Sequence, residues 1–430
     1  MPFHLRYQLR RLSARLHRLR IAVATRGWRS ALTRVANRSP HGKAPEAPSS
    51  PAPAPAPAPR NAQATRILLI DVGTPRPDRD SGSMRAVNLM RVLLDTGFAV
   101  DFLPDDRGVQ GHYTRDLQAL GVTVHAGDDV PDYPAWLAQH GHRYAGVVVS
   151  RYHLAEFLFP LLRRLAPQAR LVLDTVDLHH VREQREADHR DHATLRRLAR
   201  GTRRRELRAM AEADLTWVVS EAEAQMLRSQ QVAPAVHVLP NLHAIATGPV
   251  LPAARHGLLF VGGAGHPPNV DAVDWLVSSL FPAIRARLPA CELHLVGDGL
   301  DALVPQPPAG VVAHGYVPEL APLLDRCRIG LAPLRFGAGV KGKVNLCMAA
   351  GLPVVLTPCA AEGMHLVDGR DALIAGSADA FCDAVVRLYQ DEALWHALSG
   401  AGLENVRRHF SFEAAHATIA ASFDLPASGP

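Results

Sequence analysis

Two of the chain's three lysines, Lys341 and Lys343, stand two positions apart inside one glycine-bearing stretch, residues 334–356. Of 47 basic residues, all but these and Lys43 are arginine. Gly337, Gly339 and Gly342 surround the pair. A compact ammonium suits a phosphate oxygen at close range, and a guanidinium is not its equivalent. A helical run from about Val344 to Ala350 follows, and Gly351 and Pro353 stop it in the usual order. At the start of such a helix, unpaired N–H groups and the dipole favour an anion. The stretch reads as an anion site. Two solvated loop lysines are the alternative, because a lone glycine loop is weak evidence.

The surrounding pattern supplies elements to position that loop. From Arg66, the apolar run 67–70 leads through Gly73 and Ser81-Gly82-Ser83 into a helical pattern, then a second strand at 99–103. Strand, glycine loop, helix and strand make a βαβ unit. The alternation continues through strands at 122–124, 146–150, 171–173, 216–220 and 236–239, with one long charged helix expected over 181–213. A second series starts at 258–261 and runs into Gly262-Gly263-Ala264-Gly265, with His266-Pro267-Pro268 interrupting a helix that Asn269 or Asp271 would cap. Strands at 293–296, 311–314, 329–333 and 354–356 follow, then helices at 377–390, 392–409 and 412–423. The fold class is α/β: two consecutive parallel-sheet halves, each with glycine loops at its carboxyl edge, facing a cleft.

The basic character belongs to one end of the chain. Residues 1–60 hold 12 Lys and Arg and one acid, whereas the remainder is net negative, with 35 basic and 40 acidic residues. The overall charge of +6 therefore argues for no nucleic-acid partner. Leu5, Leu9, Leu12, Leu16 and Leu19 alternate with arginines at helical spacing, a basic amphipathic helix suited to an anionic membrane surface. A poorly ordered arm is the alternative. The Pro/Ala-rich stretch after it reads as a polyproline-type spacer that holds the arm away from the body. The expected organisation is a basic arm, 1–38; a linker, 39–65; an N-terminal Rossmann-like domain, 66–245; a C-terminal one, 256–410; and a helix and tail, 411–430. No apolar run reaches the length of a membrane span. Five cysteines, none in a CxxC pair, read as buried reduced thiols in a cytosolic protein.

Several chemistries are disfavoured. The strict G-x-G-x-x-G of a dinucleotide fold is missing, as are a nucleophile elbow and a Walker sequence. His179 and His180 with Asp174 and Asp177 lack diagnostic metal-ligand spacing, so no metal is expected.

Residues 258–276, 293–299, 311–375 and 404–415 together resemble a family-4-type, group 1 glycosyltransferase of the GT-B fold. Residues 78–104 and 149–167 are similar to transferases acting on bacterial surface polysaccharides. The resemblance implies a C-terminal domain for a nucleotide-diphosphate sugar, an N-terminal domain for the acceptor, and transfer with retention. It implies no metal and no cofactor beyond the donor substrate. The leaving diphosphate is then met by fixed cations and amide dipoles: Arg335, Lys341 or Lys343, with the N–H groups around Gly339 and Gly342. Gly262, Gly263 and Gly265 would approach the same phosphates. Gly297, Asp298 and Tyr316 fall where the family seats the base. His153 matches the histidine that touches the donor sugar; a core or cap histidine is the alternative. Gly73, Ser81, Gly82 and Ser83 lie on the acceptor side.

The family commonly carries two glutamates eight positions apart, and those positions here are Ala338 and Leu346. Neither side chain accepts a hydrogen bond from a sugar hydroxyl. Glu362, followed by Gly363, is the expected substitute acid; a solvated loop acid is the alternative. Three functions result. The first is a retaining glycosyltransferase at the cytoplasmic face of a membrane, acting on a glycan or lipid-linked acceptor. The second is a catalytically silent glycan-binding or scaffold module. The third is a nucleotide-sugar epimerase.

Overall fold

A computed structural model describes residues 3–26, 65–245 and 255–423. The expected linker, save residue 65, and the remainder of the arm lie outside the described residues, as do 246–254 and 424–430. The chain divides into two compact units: one up to Arg76, with Gly82–Leu239 and the chain from His416, and a second of Pro77–Ser81 and Pro240–Ala415.

The first unit is built on seven parallel strands: β1 (Arg66–Asp71), β2 (Ala99–Pro104), β3 (Thr123–Val124), β4 (Gly146–Ser150), β5 (Arg170–Asp174), β6 (Leu215–Val218) and β7 (Val236–Val238). Their order is β3-β2-β1-β4-β5-β6-β7. The central strands are covered on both faces, which is why 67–70 and 146–150 are continuous apolar runs, without alternation. The order reverses between β1 and β4, which pair from Ile67 opposite Gly146 to Ile70 opposite Val149.

The second unit has six parallel strands: β8 (Leu258–Val261), β9 (Leu293–Val296), β10 (Val311–Gly315), β11 (Ile329–Ala332), β12 (Val354–Leu356) and β13 (Leu373–Ile374). Their order is β10-β9-β8-β11-β12-β13, the doubly wound Rossmann order, with its switch point between β8 and β11. The glycine loops follow β8, β9, β10 and β11, at the carboxyl edge. Gly351, with φ +67°, ends the helix Gly342–Ala349 in the left-handed conformation that glycine adopts without strain.

Three expectations are corrected. The long charged helix is two, His179–His189 and Ala193–Glu212. The break at Asp191, φ +46°, folds the second back on the first, so Glu206 accepts from the N–H groups of His179 and His180 at 3.1 and 2.9 Å. Second, Pro267 and Pro268 do not interrupt a helix but begin one, Pro267–Trp275. Proline suits the first helical position because its missing N–H is not needed there. Neither Asn269 nor Asp271 is the cap. Third, the N-terminal helix Phe3–Arg26 is not held off the body: it packs on the helices Tyr152–Leu165 and Ala193–Glu212 of the first unit. Its inward face carries Tyr7, Ala14 and His17, all buried. Tyr7 meets the Phe157 ring edge-on at 5.8 Å, and His17 Nε2 lies 2.9 Å from Thr202 Oγ1.

All five cysteines are free thiols, four of them buried. Among the described residues, no helix is long and apolar enough to cross a membrane.

Candidate donor site

Lys343 is the second residue of the helix Gly342–Ala349, directly after the loop that follows β11. Its Nζ lies 2.5 Å from Asn269 Oδ1 and 4.2 Å from the centre of the Phe260 ring. Asn269 stands in the first turn of the helix Pro267–Trp275, and its Nδ2 donates to the carbonyl of Gly263 at 2.9 Å. Loop, helix start and ammonium therefore form one assembly across the β8/β11 switch point. Burial pushes the Lys343 pKa down to about 7, and the nearby Lys341 charge acts in the same direction. No carboxylate among the described residues pairs with it.

The glycines around this ammonium are fixed by contact. A Cβ on Gly262 would stand 2.7 Å from the Asn269 amide and 2.8 Å from Lys343 Nζ. A Cβ on Gly297 would stand 2.5 Å from the backbone of Gly262. Gly263 leaves its carbonyl open to Asn269, while the N–H of Ala264 donates to Asp298 O at 2.9 Å. Gly265 completes the turn into the helix.

The other expected cations are differently engaged. Arg335 holds Asp271 with two bonds, 2.8 and 2.6 Å, and lies over the Trp275 ring at 5.2 Å. Its charge is already neutralised, which ranks it below Lys343 as a phosphate ligand. Lys341 is buried and donates back to the carbonyl of Gly339 at 2.5 Å, closing the loop on itself. Gly339 sits at φ +69° and Gly363 at φ +73°. Glu362 and Gly363 follow the short helix Pro358–Ala361 after β12 and are partly buried. Asp298 and Tyr316 follow β9 and β10; the Arg79 guanidinium of the segment Pro77–Ser81 lies over the Tyr316 ring at 3.3 Å and 3.4 Å from Asp298 Oδ1.

In the first unit, His153 is the second residue of the helix Tyr152–Leu165 and is buried. Its Nε2 lies 2.8 Å from Arg18 Nη1 of the N-terminal helix, and its ring stands edge-on to His179 at 6.0 Å. Gly73 follows β1, where a Cβ would stand 2.7 Å from the Asp106 carboxylate. Ser81, Gly82 and Ser83 form the first turn of the helix Ser81–Asp95. The group of Asp174, Asp177, His179 and His180 is split between partners: Arg85 clamps Asp174 at 2.6 Å, and His180 Nδ1 lies 2.6 Å from Glu206 Oε2. Among the described residues, no group of three or more His, Cys, Asp or Glu is arranged to hold a metal.

Sequence reading missed Asn269 as the partner of Lys343, Arg18 as the partner of His153, and the pair Arg151–Asp71. Arg151 follows β4 at the first unit's switch point with φ +74°, a left-handed conformation costly for a side-chain-bearing residue. Its Nε donates to the buried Asp71 at 3.1 Å. Burial raises the Asp71 carboxyl above its ordinary value, and the Arg151 charge opposes that shift.

Residues 255–391 match the family described as glycosyl transferases group 1. No curated protein matches the sequence. Among solved structures, sucrose-phosphate synthase from Thermosynechococcus elongatus superposes with a TM-score of 0.65 at 17% identity, covering 84% of this chain and 98% of that one. HepE from Anabaena, solved in complex with UDP-glucose, gives 0.62 at 14%, covering 84% and 99%. The pneumococcal O-GlcNAc transferase GtfA, in complex with UDP and GlcNAc, gives 0.61 at 10%, covering 84% and 99%. At these identities the superpositions establish the GT-B fold. The family match is confined to the second unit.

Proposed function

We propose that this protein is a group 1 glycosyltransferase that takes its sugar from a UDP-type nucleotide-diphosphate donor, transfers it with retention of anomeric configuration, and uses a glycan or lipid-linked acceptor in cell-surface polysaccharide synthesis. The observation that carries the donor reading is Lys343: a cation held at the switch point by an amide, with no carboxylate to neutralise it. An incoming diphosphate supplies the missing negative charge, and the ammonium then stabilises the charge that develops on the leaving group. No metal enters this reading. HepE and GtfA, bound to UDP-glucose and to UDP, support uridine as the base. The enzyme works on the cytoplasmic side, as a peripheral protein at an anionic membrane surface, through residues 3–37. Titration calorimetry with UDP-, GDP- and dTDP-sugars tests the donor. Micromolar binding of a UDP-sugar is expected, and binding of none of them rules the reading out.

Ala338 and Leu346, where the family carries acids, favour a second reading: a GT-B module that binds glycan without transferring it. Transfer of a radiolabelled sugar to an acceptor extract, lost on Lys343→Ala, decides for the enzyme.

A further inference from the structure

The N-terminal helix has two faces with different fates. Arg11 donates to Asp105 at 3.1 Å, Arg205 donates to Ser13 at 2.7 Å, and Arg18 lies against His153, so the inward face is fixed to the first unit. The outward face leaves an apolar stripe uncovered: Leu5 43%, Leu9 45%, Leu12 53%, Leu16 46%, Leu19 37% and Val23 39% exposed. Only three other large apolar side chains among the described residues are as exposed, and they are scattered at Val109, Leu303 and Val367. The stripe is therefore a patch and not a sampling of ordinary surface.

Arg6, Arg15 and Arg20 flank it, all exposed, and none has an acidic partner among the described residues. The helix contains no acidic residue at all. Leu9, Leu12 and Leu16 also line a groove of about 280 Å³, together with Ser13, His17, Arg20 and Arg205. Exposed leucines flanked by unpaired guanidinium groups match acyl chains beneath phosphate headgroups.

We infer that the outward Leu stripe of the docked helix Phe3–Arg26 is the bilayer-contacting face, inserted among acyl chains while Arg6, Arg15 and Arg20 hold anionic phospholipid headgroups. The stripe's spacing of alternately four and three residues is also that of a coiled coil. Charge decides against a second copy. In a parallel pair Arg15 would face Arg20 of the other helix, and in an antiparallel pair Arg6 would face Arg20; both are repulsive. An anionic surface turns the same arginines into attraction. This inference rests on the membrane reading of residues 3–37 but not on the donor chemistry, and it adds that the helix binds lipid without leaving the body.

The test is co-sedimentation of the full chain with vesicles of phosphatidylglycerol and phosphatidylethanolamine, or of phosphatidylcholine alone. The variant Leu9→Gln/Leu12→Gln/Leu16→Gln changes only exposed positions, and an unchanged melting temperature and UDP affinity check its fold. The wild type is expected to bind anionic vesicles and sediment as a monomer. The triple Leu variant should lose at least about tenfold in partitioning. Each of Arg6→Gln, Arg15→Gln and Arg20→Gln should cost about fivefold and reduce the salt dependence. Equal binding by wild type and Leu variant overturns the assignment of the face while leaving a membrane role for residues 3–37. No vesicle binding by the wild type overturns both. A wild-type dimer that the Leu substitutions dissociate, without vesicle binding, makes the occupant a second copy.

Discussion

Lys343 Nζ and Asn269 Oδ1 are 2.5 Å apart, and that contact joins the loop after β11 to the helix after β8. The amide oxygen orients the ammonium without cancelling its charge. Replacement by Met keeps the length and removes the charge. A charge-assisted hydrogen bond is worth about 1.5–3 kcal/mol, so Lys343→Met should weaken UDP binding about 10- to 100-fold. Arg335→Gln should change it far less, because Asp271 already holds that guanidinium. Calorimetry on the two variants ranks the cations; equal losses would put Arg335 back beside the phosphates.

The depressed Lys343 pKa gives two opposite pH trends. The folded protein gives up this proton near pH 7, whereas the unfolded chain keeps it to the ordinary value of 10.5. Between those limits the unfolded state binds the extra proton, so this group makes stability rise with pH from about 7 towards 10. UDP reverses the preference, because its oxygens favour the ammonium. A proton is taken up with the ligand, and affinity should fall above pH 7 towards tenfold per unit. Phosphate is already ionised there, its second pKa being about 6. Calorimetry in buffers of different ionisation enthalpy measures the uptake, and Lys343→Met should abolish it.

Two glycine substitutions separate site from scaffold. The Cβ of Gly262→Ala would meet the ends of the Asn269 and Lys343 side chains, at 2.7 and 2.8 Å. Side-chain ends move, so the fold should survive while UDP affinity falls about as far as in Lys343→Met. The Cβ of Gly297→Ala would meet backbone at 2.5 Å, at a residue with φ +148°. Backbone does not yield cheaply, and the expected result is a loss of about 1–3 kcal/mol in thermal or urea unfolding.

These contacts mark what a sequence can and cannot show. The two doubly wound sheets were legible because doubly covered parallel strands must be continuous apolar runs, as at 146–150 and 258–261. The lysine loop stood out because lysine is scarce in the chain. Asn269 was not legible as a partner of Lys343: 74 residues separate them, and His266-Pro267-Pro268 looked like a break when it is a helix start. The docking of the N-terminal helix was hidden for another reason. Its inward face is Tyr7, Ala14 and His17, residues that a hydrophobic pattern barely counts, while the conspicuous leucines point outward. Arg151–Asp71 depends on a positive φ at an arginine, which no residue type signals.

Glu362 separates recognition of the sugar from recognition of the diphosphate. If its carboxylate stands in for the acids missing at Ala338 and Leu346, Glu362→Gln should weaken a UDP-sugar about tenfold and leave UDP alone unaffected, since a hydrogen bond to a charged group is worth roughly 1.5–3 kcal/mol. Competition binding with the two ligands measures the difference. An equal loss for both would place Glu362 with the loop's structure and not with the sugar.

Arg18 and His153, 135 residues apart in sequence, make the last prediction. A guanidinium has donors and no acceptor, so His153 Nε2 accepts and the ring proton resides on Nδ1. Arg18 is thereby a positioning residue for the histidine expected to touch the donor sugar. Arg18→Met removes the donor that holds the ring. Turnover should drop about tenfold with UDP affinity unchanged, the mark of an interaction that acts in the transition state. Arg18→Lys, which keeps a charged donor, should recover most of the rate. A purely structural contact would instead lower the melting temperature and gain nothing from the lysine. His153→Ala supplies the reference: its turnover should lie below that of Arg18→Met, and combining the two substitutions should cost no more than His153→Ala alone.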